Sequence, residues 1–261
     1  MLHNAKNIHG FTLECRDGTI GSVKELYFDD HQWTVRYLVV DTGGWLIGKQ
    51  VLISPHAITS VDEKARHIHI SLTRQQIEDS PPLESHKPVS RQFEEAYYGY
   101  YRWPIYLGAP YMWGESPLIN VDQEGPGQTT LGRRKGDPNL RSMGEVCKHD
   151  LMAEDGKIGH VDDFIFDDKA WTIRYLIVDT SNWWAGKRVL ISPLWISGIS
   201  WVESRVMVRL SREVIKHSPE FTADMLVTRE YETDLHQHYR LQGYWIDEVP
   251  APGPSVGASH D

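Results

Sequence analysis

The chain has 261 residues, of which 40% are hydrophobic and 24% are charged. This composition is that of an ordinary globular protein, and it excludes a collagen-like fibre, a coiled-coil rod and a wholly disordered chain. Acidic residues outnumber basic ones by 36 to 27, which gives a formal charge of −9. Because nonspecific nucleic-acid binding needs a large positive surface, this charge argues against nucleic acid as a partner.

The cysteine content and the start of the chain predict a cytoplasmic location. Cys15 and Cys147 are the only two cysteines, too few for a disulfide framework in a chain of this length. The first residues lack the apolar stretch of a signal peptide. No apolar run approaches the roughly 18 residues that a membrane-spanning helix needs, so we expect no membrane span.

The first 80 residues predict a series of short strands followed by one turn of helix. The expected strands, in chain order, cover Ile20–Phe28, Trp33–Asp41, Val51–Ile53, Ile58–Val61 and His67–Leu72. Asp29-Asp30-His31-Gln32 is a short polar connection of the kind that joins two strands in a hairpin. After the last strand, Thr73 can cap the N-terminus of a helical turn. Five or six short strands of this kind indicate a small barrel.

An aromatic segment and a loop-like segment follow this unit. Residues 94–113 hold eight Tyr or Trp side chains, and a helix is expected to begin at Ser90 and to end before Pro104. Residues 114–141 are rich in Gly and Pro and contain the basic run Arg133-Arg134-Lys135. We expect a linker there.

The strand-rich unit then recurs at a constant offset of 138 residues. Residues 17–58 and 155–196 are identical at 25 of 42 positions without a gap. Two copies at this spacing indicate a duplicated domain. The residues expected in the core are Val23, Phe28, Val35, Tyr37, Val51 and Ile53, with their equivalents Val161, Phe166, Ile173, Tyr175, Val189 and Ile191.

The repeated unit resembles a PRC-barrel domain. The resemblance rests on Gly-x-Ile-Gly-x-Val, a short acidic turn, Tyr-Leu-Val-Val-Asp and Val-Leu-Ile-Ser-Pro, in that order and in both copies. The family includes the cytoplasmic barrel of the photosynthetic reaction-centre H subunit, the C-terminal barrel of a ribosome-maturation factor and many bacterial proteins. The resemblance implies a small all-β barrel that serves protein–protein contact or assembly, without shared catalytic residues.

The sequence therefore predicts a mainly β protein made of two tandem small PRC-type β-barrels, with short helices and an aromatic-rich connecting segment. The expected divisions are a first barrel (1–85), an aromatic strap and linker (86–141), a second barrel (142–223) and a C-terminal helix and tail (224–261). We expect the barrels to pack through equivalent faces around an approximate twofold axis. The aromatic segment is expected to lie across the inter-barrel groove and to help build a homodimer.

Several residue patterns could indicate chemistry, but each has a simpler structural interpretation. The glycines of the Asp-Gly-x-Ile-Gly motif fit turns and strand entries better than a phosphate loop. The pairs His67/His69 and His236/His238 have zinc-compatible spacing but no adjoining third ligand, and solvated histidines are expected. The Asp-Asp pairs are expected to cap hairpin tips that point into solvent. Neither cysteine has a neighbour that would activate it. We expect no catalytic residue, no metal and no cofactor.

Bulky apolar residues in connections are the better candidates, because Trp and Tyr dominate interface hot spots. The candidate interaction residues are Trp45, Leu46, Trp183 and Trp184 in the two glycine-flanked loops, with Tyr98, Tyr101 and Trp103 in the aromatic segment. They favour a non-enzymatic adaptor or assembly module with protein partners. One alternative is a ribosome- or RNA-associated factor, if Arg133–Lys135 and Arg141 share a basic face. Another is a small-molecule or metal sensor with a pocket between the barrels.

Overall fold

The structure is a computed structural model that describes residues 1–44, 50–81, 91–103, 140–180, 187–222 and 224–246. The first repeat consists of β1 (Leu2–Asn4), α1 (Ala5–Ile8), β2 (Thr12–Cys15), β3 (Gly18–Asp29), β4 (Thr34–Asp41), β5 (Gln50–Ile53), β6 (Ile58–Asp62), β7 (His67–Ile70), α2 (Arg74–Glu78) and α3 (Arg91–Tyr101). The second consists of β8 (Leu140–Ser142), α4 (Met143–Val146), β9 (Asp150–Ala153), β10 (Gly156–Asp167), β11 (Thr172–Asp179), β12 (Arg188–Ile191), β13 (Ile196–Ser200), β14 (Arg205–Val208), α5 (Arg212–Lys216) and α6 (Arg229–Tyr239).

Each repeat is a six-stranded unit with the same strand order. The neighbours run β6–β7–β2–β3–β4–β5 in the first repeat and β13–β14–β9–β10–β11–β12 in the second. A 3-10 turn at Pro55–Ala57, and its equivalent at Pro193–Trp195, connects the last strand of each order to the first. The predicted mainly β fold with two equivalent units is confirmed.

The two repeats exchange their first strands. β1 of the first repeat pairs with β10 of the second, with Leu2 opposite Asp167. Reciprocally, β8 of the second repeat pairs with β3 of the first, with Leu140 opposite Asp29. The two registers are related by the same 138-residue offset, so the contact is isologous.

A second symmetric contact joins the hairpin tips. The amide of Val35 donates to the carbonyl of Trp171, and the amide of Ile173 donates to the carbonyl of Trp33, both at 2.7 Å. Thr34 pairs with Thr172 at the centre of this contact. These reciprocal bonds, together with the exchanged strands, confirm the predicted twofold packing through equivalent faces.

A hydrophobic core extends across both repeats. The twelve side chains predicted to be internal are all buried, and most of them have no exposed surface. The two repeats meet at Phe28 and Phe164, whose ring centroids are 5.6 Å apart. Trp33 stacks on Phe28, and Trp171 stacks on Phe166 in the equivalent position. The core of one repeat is thus completed by the other.

Truncating a side chain in this core is expected to destabilise the fold. Ile191 lies on β12 and is fully buried, so Ile191→Ala should lower the free energy of unfolding by about 2–5 kcal/mol through lost burial and the cavity left behind. Urea unfolding measures the loss. Leu226→Ala is the control, because Leu226 is 77% exposed. Equal midpoints for the two variants would contradict the position of β12.

The repeated motif residues have structural roles in the strands and caps. A Cβ atom at Gly21 would overlap the carbonyl of Asp41, and one at Gly159 would overlap the carbonyl of Asp179. The glycines therefore permit a close crossing of two backbones, as the structural interpretation predicted. Thr73 caps α2, as the sequence predicted, in a reciprocal arrangement with Gln76. Ser211 caps α5 at the equivalent position of the second repeat.

Candidate interaction surface

The aromatic residues of α3 cover the outer face of their own barrel. Tyr97 and Tyr98 are buried against Tyr37, Val39 and Leu52, which lie on β4 and β5. The prediction that this segment lies across the inter-barrel groove is wrong for the helix. The reason is that β4 is apolar on both faces. Val35 and Val40 belong to the main core, while Tyr37 and Val39 face outward and are covered by α3.

The other two aromatic candidates lie at the end of the same helix. Tyr101 and Trp103 are half-buried and stacked, with ring centroids 4.5 Å apart. Trp103 also packs beside His56 at 5.6 Å. With Tyr98 they form one packed cluster on the first repeat. Trp45, Leu46, Trp183 and Trp184 lie outside the described residues.

Hydrogen bonds fix α3 and α6 to their barrels in the same way. Tyr37 donates to Glu94 at 2.8 Å, and its equivalent Tyr175 donates to Glu232 at 2.9 Å. Burial raises the pKa of both tyrosines, so both hydroxyls keep their proton. Tyr97 adds a bond to the carbonyl of Leu52 at 2.8 Å. These pairs are structural ties between helix and strand.

The structure places the two histidine pairs in different surroundings. His67 and His69 are partly exposed, and His67 lies 3.5 Å from Glu14. The prediction of solvated histidines is wrong for His236, which is buried and lies 3.1 Å from the Tyr175 hydroxyl. This burial could not be predicted from the local pattern, because it depends on the packing of α6 against β11, which lies about 60 residues earlier in the chain. The described part of the chain contains no cluster of three or more His, Cys, Asp or Glu residues arranged to hold a metal ion.

Both cysteines are weakly reactive thiols. Burial raises the pKa of Cys15 and of Cys147 to about 12. Because the thiolate is the nucleophile, neither side chain is prepared for covalent chemistry near neutral pH.

The hairpin tips cap themselves and also join the repeats. Asp29 accepts hydrogen bonds from the amides of His31 and Gln32, both at 2.9 Å, as expected for a capping aspartate. The prediction that the tips point into solvent is wrong, because Asp29 is buried and the strands beside it pair across the repeat contact. The twofold arrangement turns both tips toward the neighbouring repeat.

Beside the tips, the two halves of the contact use different residues at equivalent positions. In one half, the His3 ring lies between two carboxylates, 2.5 Å from Glu63 and 3.0 Å from Asp168. In the other half, the equivalent Arg141 bonds to Asp30 at 3.0 Å and lies over the Trp201 ring at 4.2 Å. Trp201 therefore takes the place of Glu63. Arg141 is engaged in this contact, while Arg133–Lys135 lie outside the described residues.

A buried carboxylate at the contact predicts a pH effect. The backbone amide of Lys6 donates to both carboxylate oxygens of Asp163 at 3.2 and 3.3 Å, yet burial raises the pKa of Asp163 to about 6. The unfolded carboxyl loses its proton near pH 4, whereas the folded one keeps it to about pH 6. Asp163 therefore makes folding less favourable as pH rises through this window, by about 3 kcal/mol in total.

Asp163→Asn should remove this contribution. The expected result is a free energy of unfolding that falls less, or rises more, between pH 4 and pH 7 than in the unmodified protein. Urea unfolding over this pH range checks it, with Asp234→Asn as the exposed control. Parallel pH profiles for the two variants would show that Asp163 is not desolvated in the folded protein.

A groove lies between the tip of the first repeat and β13. It has a volume of about 440 Å³ and is bounded by Asp30, His31 and Trp33 on one side and by β13 and Trp201 on the other. β13 is the last strand in its sheet order, so among the described strands its outer edge has no partner. An unpaired edge presents backbone donors and acceptors to an incoming strand.

The hairpin of β13 and β14 also presents an exposed apolar face. We call Leu194, Trp201, Val202 and Met207 the β13–β14 face. Leu194 is 63% exposed and Val202 is 98% exposed. The equivalent positions of the first repeat hold polar residues: His56, Glu63, Lys64 and His69. The same hairpin folds with polar residues in one repeat, so the exposed side chains Leu194, Val202 and Met207 of the other are not needed for folding. Trp201 is half-buried and also packs against the core.

This face was missed at the sequence level, although a signal for it existed. The face consists of positions at which the repeats differ, whereas the duplication is marked by positions at which they agree. Charged residues on an edge strand normally prevent unwanted pairing. The first repeat has Asp62, Glu63 and Lys64 there, while residues 196–202 of the second repeat carry no charge.

Comparison with known proteins places the repeats in one family. No curated protein matches the chain. Among the described residues, no helix is long and apolar enough to cross a membrane. The family model of the PRC-barrel domain matches residues 13–77 and 149–215. These two segments make up half of the chain and cover most of each six-stranded unit, so the chain belongs to the PRC-barrel family, with two copies of the domain in tandem.

Proposed function

We propose that this protein is a non-enzymatic interaction module whose binding surface is the β13–β14 face with the adjoining groove. The observation that carries the proposal is the contrast between the two repeats at equivalent positions. Leu194, Val202 and Met207 are exposed where the first repeat has His56, Lys64 and His69. Exposed apolar side chains that recur along one hairpin indicate a surface that a partner covers.

The surroundings of this face support protein contact. Trp201 offers a large ring already positioned by Arg141, 4.2 Å away, and an ordered aromatic side chain loses little freedom on binding. Trp33 lies on the opposite wall of the groove. The buried pairs Tyr37–Glu94 and Tyr175–Glu232 tie helices to strands, and no described side chain has an evident catalytic task. The two free thiols, Cys15 and Cys147, support a reducing compartment such as the cytoplasm.

The proposal is tested by giving the second repeat the residues of the first. The variant Ser200→Asp/Trp201→Glu/Val202→Lys introduces Asp, Glu and Lys as they occur at 62–64. The new Glu would face Arg141 as Glu63 faces His3, so the fold should be retained. We expect proteins that co-purify with the unmodified chain from its native cells to be lost with this variant. Lys64→Glu, at the equivalent turn, is the matched control.

The experiment contradicts the proposal if the co-purified set is the same for the unmodified chain, the triple variant and the control. A cooperative melting transition well above the assay temperature for all three proteins establishes that any loss of binding does not come from unfolding.

A second candidate function is small-molecule binding in the groove between the repeats. The observation that favours it is the pair Trp33 and Trp201, which line a space of about 440 Å³ and could contact a flat ligand from two sides. Unfolding and refolding would remove a ligand that survives purification. If such a ligand is bound, this treatment should change the tryptophan fluorescence of the unmodified protein more than that of Trp33→Phe or Trp201→Phe.

A further inference from the structure

We propose that the partner at the β13–β14 face is a second copy of this chain, joined by antiparallel pairing of β13 with β13 across a twofold axis centred on Gly198. This inference rests on the proposed function and specifies its partner. The structural starting point is the open edge: β13 pairs with β14 on one side and, among the described strands, with nothing on the other.

Electrostatics favours self-association at this strand above other parts of the surface. The chain has a formal charge of −9, so two copies repel each other in general. Residues 196–202 carry no charge, and their meeting adds no local repulsion. The equivalent strand of the first repeat would place Asp62, Glu63 and Lys64 at such a contact, and those charges would have to be desolvated.

The order of residues along the strand is self-complementary. In an antiparallel pair centred on Gly198, Ile196 of one copy lies opposite Ser200 of the other. Leu194, in the 3-10 turn before β13, and Val202, in the turn after it, lie just beyond the two ends of the strand, so the twofold axis places Leu194 of one copy near Val202 of the other. These are two of the most exposed apolar side chains of the described chain. Trp195 and Trp201 flank the strand in the same way, with Trp195 buried and Trp201 half-buried.

The centre of the strand permits a close approach. Gly198 has no side chain, and Met207 of β14 lies beside it, since a Cβ atom at position 198 would be 3.2 Å from the Met207 Cε atom. Met207 is 38% exposed. Two copies would therefore meet across a backbone contact with one methionine from each side, and methionine adapts readily to a new surface.

The pairing is tested by mass in solution over a concentration series, with the full chain. We expect sedimentation velocity to show a dimer in equilibrium with monomer. The triple variant Ser200→Asp/Trp201→Glu/Val202→Lys should raise the dimer dissociation constant at least tenfold while the monomer stays folded. Lys64→Glu should dimerise like the unmodified chain.

A cross-link tests the register. In antiparallel pairs, facing Cα atoms lie roughly 4.5–5.5 Å apart, within the range that a disulfide spans. Gly198→Cys should therefore give a disulfide-linked dimer under mild oxidation, whereas Ser60→Cys, its equivalent in the first repeat, should not. The native thiols should react slowly because burial raises the pKa of each to about 12.

A monomeric unmodified chain, or a triple variant that dimerises as before, overturns the pairing. These results are separable from failure of the proposed function. If the unmodified chain is a monomer but the triple variant loses the co-purifying proteins, the interaction surface is supported and its partner is a different protein. If the unmodified chain is a monomer and the triple variant keeps the same co-purifying proteins, both the pairing and the proposed function are refuted.

Discussion

Replacing Arg36 by methionine is expected to lower the free energy of unfolding by about 3–5 kcal/mol. The Arg36 side chain is 1% exposed, with one guanidinium nitrogen 2.9 Å from Glu94 and another 3.7 Å from Asp29. Methionine fills a similar volume but leaves both carboxylates buried without this cation. Removing one member of a buried ion pair costs much more than the intact pair contributes.

The second repeat provides a matched control for this variant. Arg174 is the equivalent residue, but it is 11% exposed and lies over the Tyr244 ring at 3.9 Å. There the helix carboxylate Glu232 is bonded to Tyr175, Tyr244 and Arg229 instead. Arg174→Met should therefore cost clearly less. Urea unfolding at neutral pH compares the two, and equal losses would contradict a special role for the Arg36–Glu94 pair.

Much of the fold could be predicted because its signals are local. Alternation at 68–72 marks one strand, Pro55 marks the end of another, and Thr73 with Gln76 marks a helix start. The duplication adds weight, since each prediction applies to two places. Both repeats then bury the same six positions.

The exchange of first strands could not be predicted in this way. β1 and β8 have three residues each, too short for any periodicity, and their partners lie more than 100 residues away. A three-residue strand forms only because the other repeat supplies an edge. The same holds for Arg141 on Trp201, which pairs positions that are unrelated along the chain.

The surroundings of the aromatic segment were predicted only in part. The expected cover is confirmed for Tyr97 and Tyr98, whereas Tyr100 is exposed, and the surface that they cover was not predicted. Residues 104–113 lie outside the described part of the chain. β4 reads as a strand buried on both faces, and α3 supplies the cover from the same repeat. The recurrence of this arrangement at α6 was partly hidden, because the helices share few residues beyond Arg91/Arg229, Glu94/Glu232 and Tyr101/Tyr239.

Truncating Tyr98 tests whether this helix serves the fold or an interface. Tyr98 is fully buried, with its ring 6.5 Å from Tyr37 and 6.2 Å from His56. Tyr98→Ala should lower the free energy of unfolding by about 3–5 kcal/mol, as expected for a large buried aromatic side chain. The mass of the protein in solution should not change, because these contacts lie within one repeat.

Tyr98→Phe is the matched control. The Tyr98 hydroxyl is buried and has no hydrogen-bond partner among the described residues, so its removal should leave stability unchanged or slightly raised. Tyr97→Phe should instead cost about 1–3 kcal/mol, since the Tyr97 hydroxyl donates to Leu52 and accepts from the Ser54 amide. Urea unfolding ranks the three variants, and sedimentation measures their mass. A lower mass in solution for Tyr98→Ala at unchanged stability would indicate that α3 contacts a second subunit. That result would weaken the case for pairing through β13.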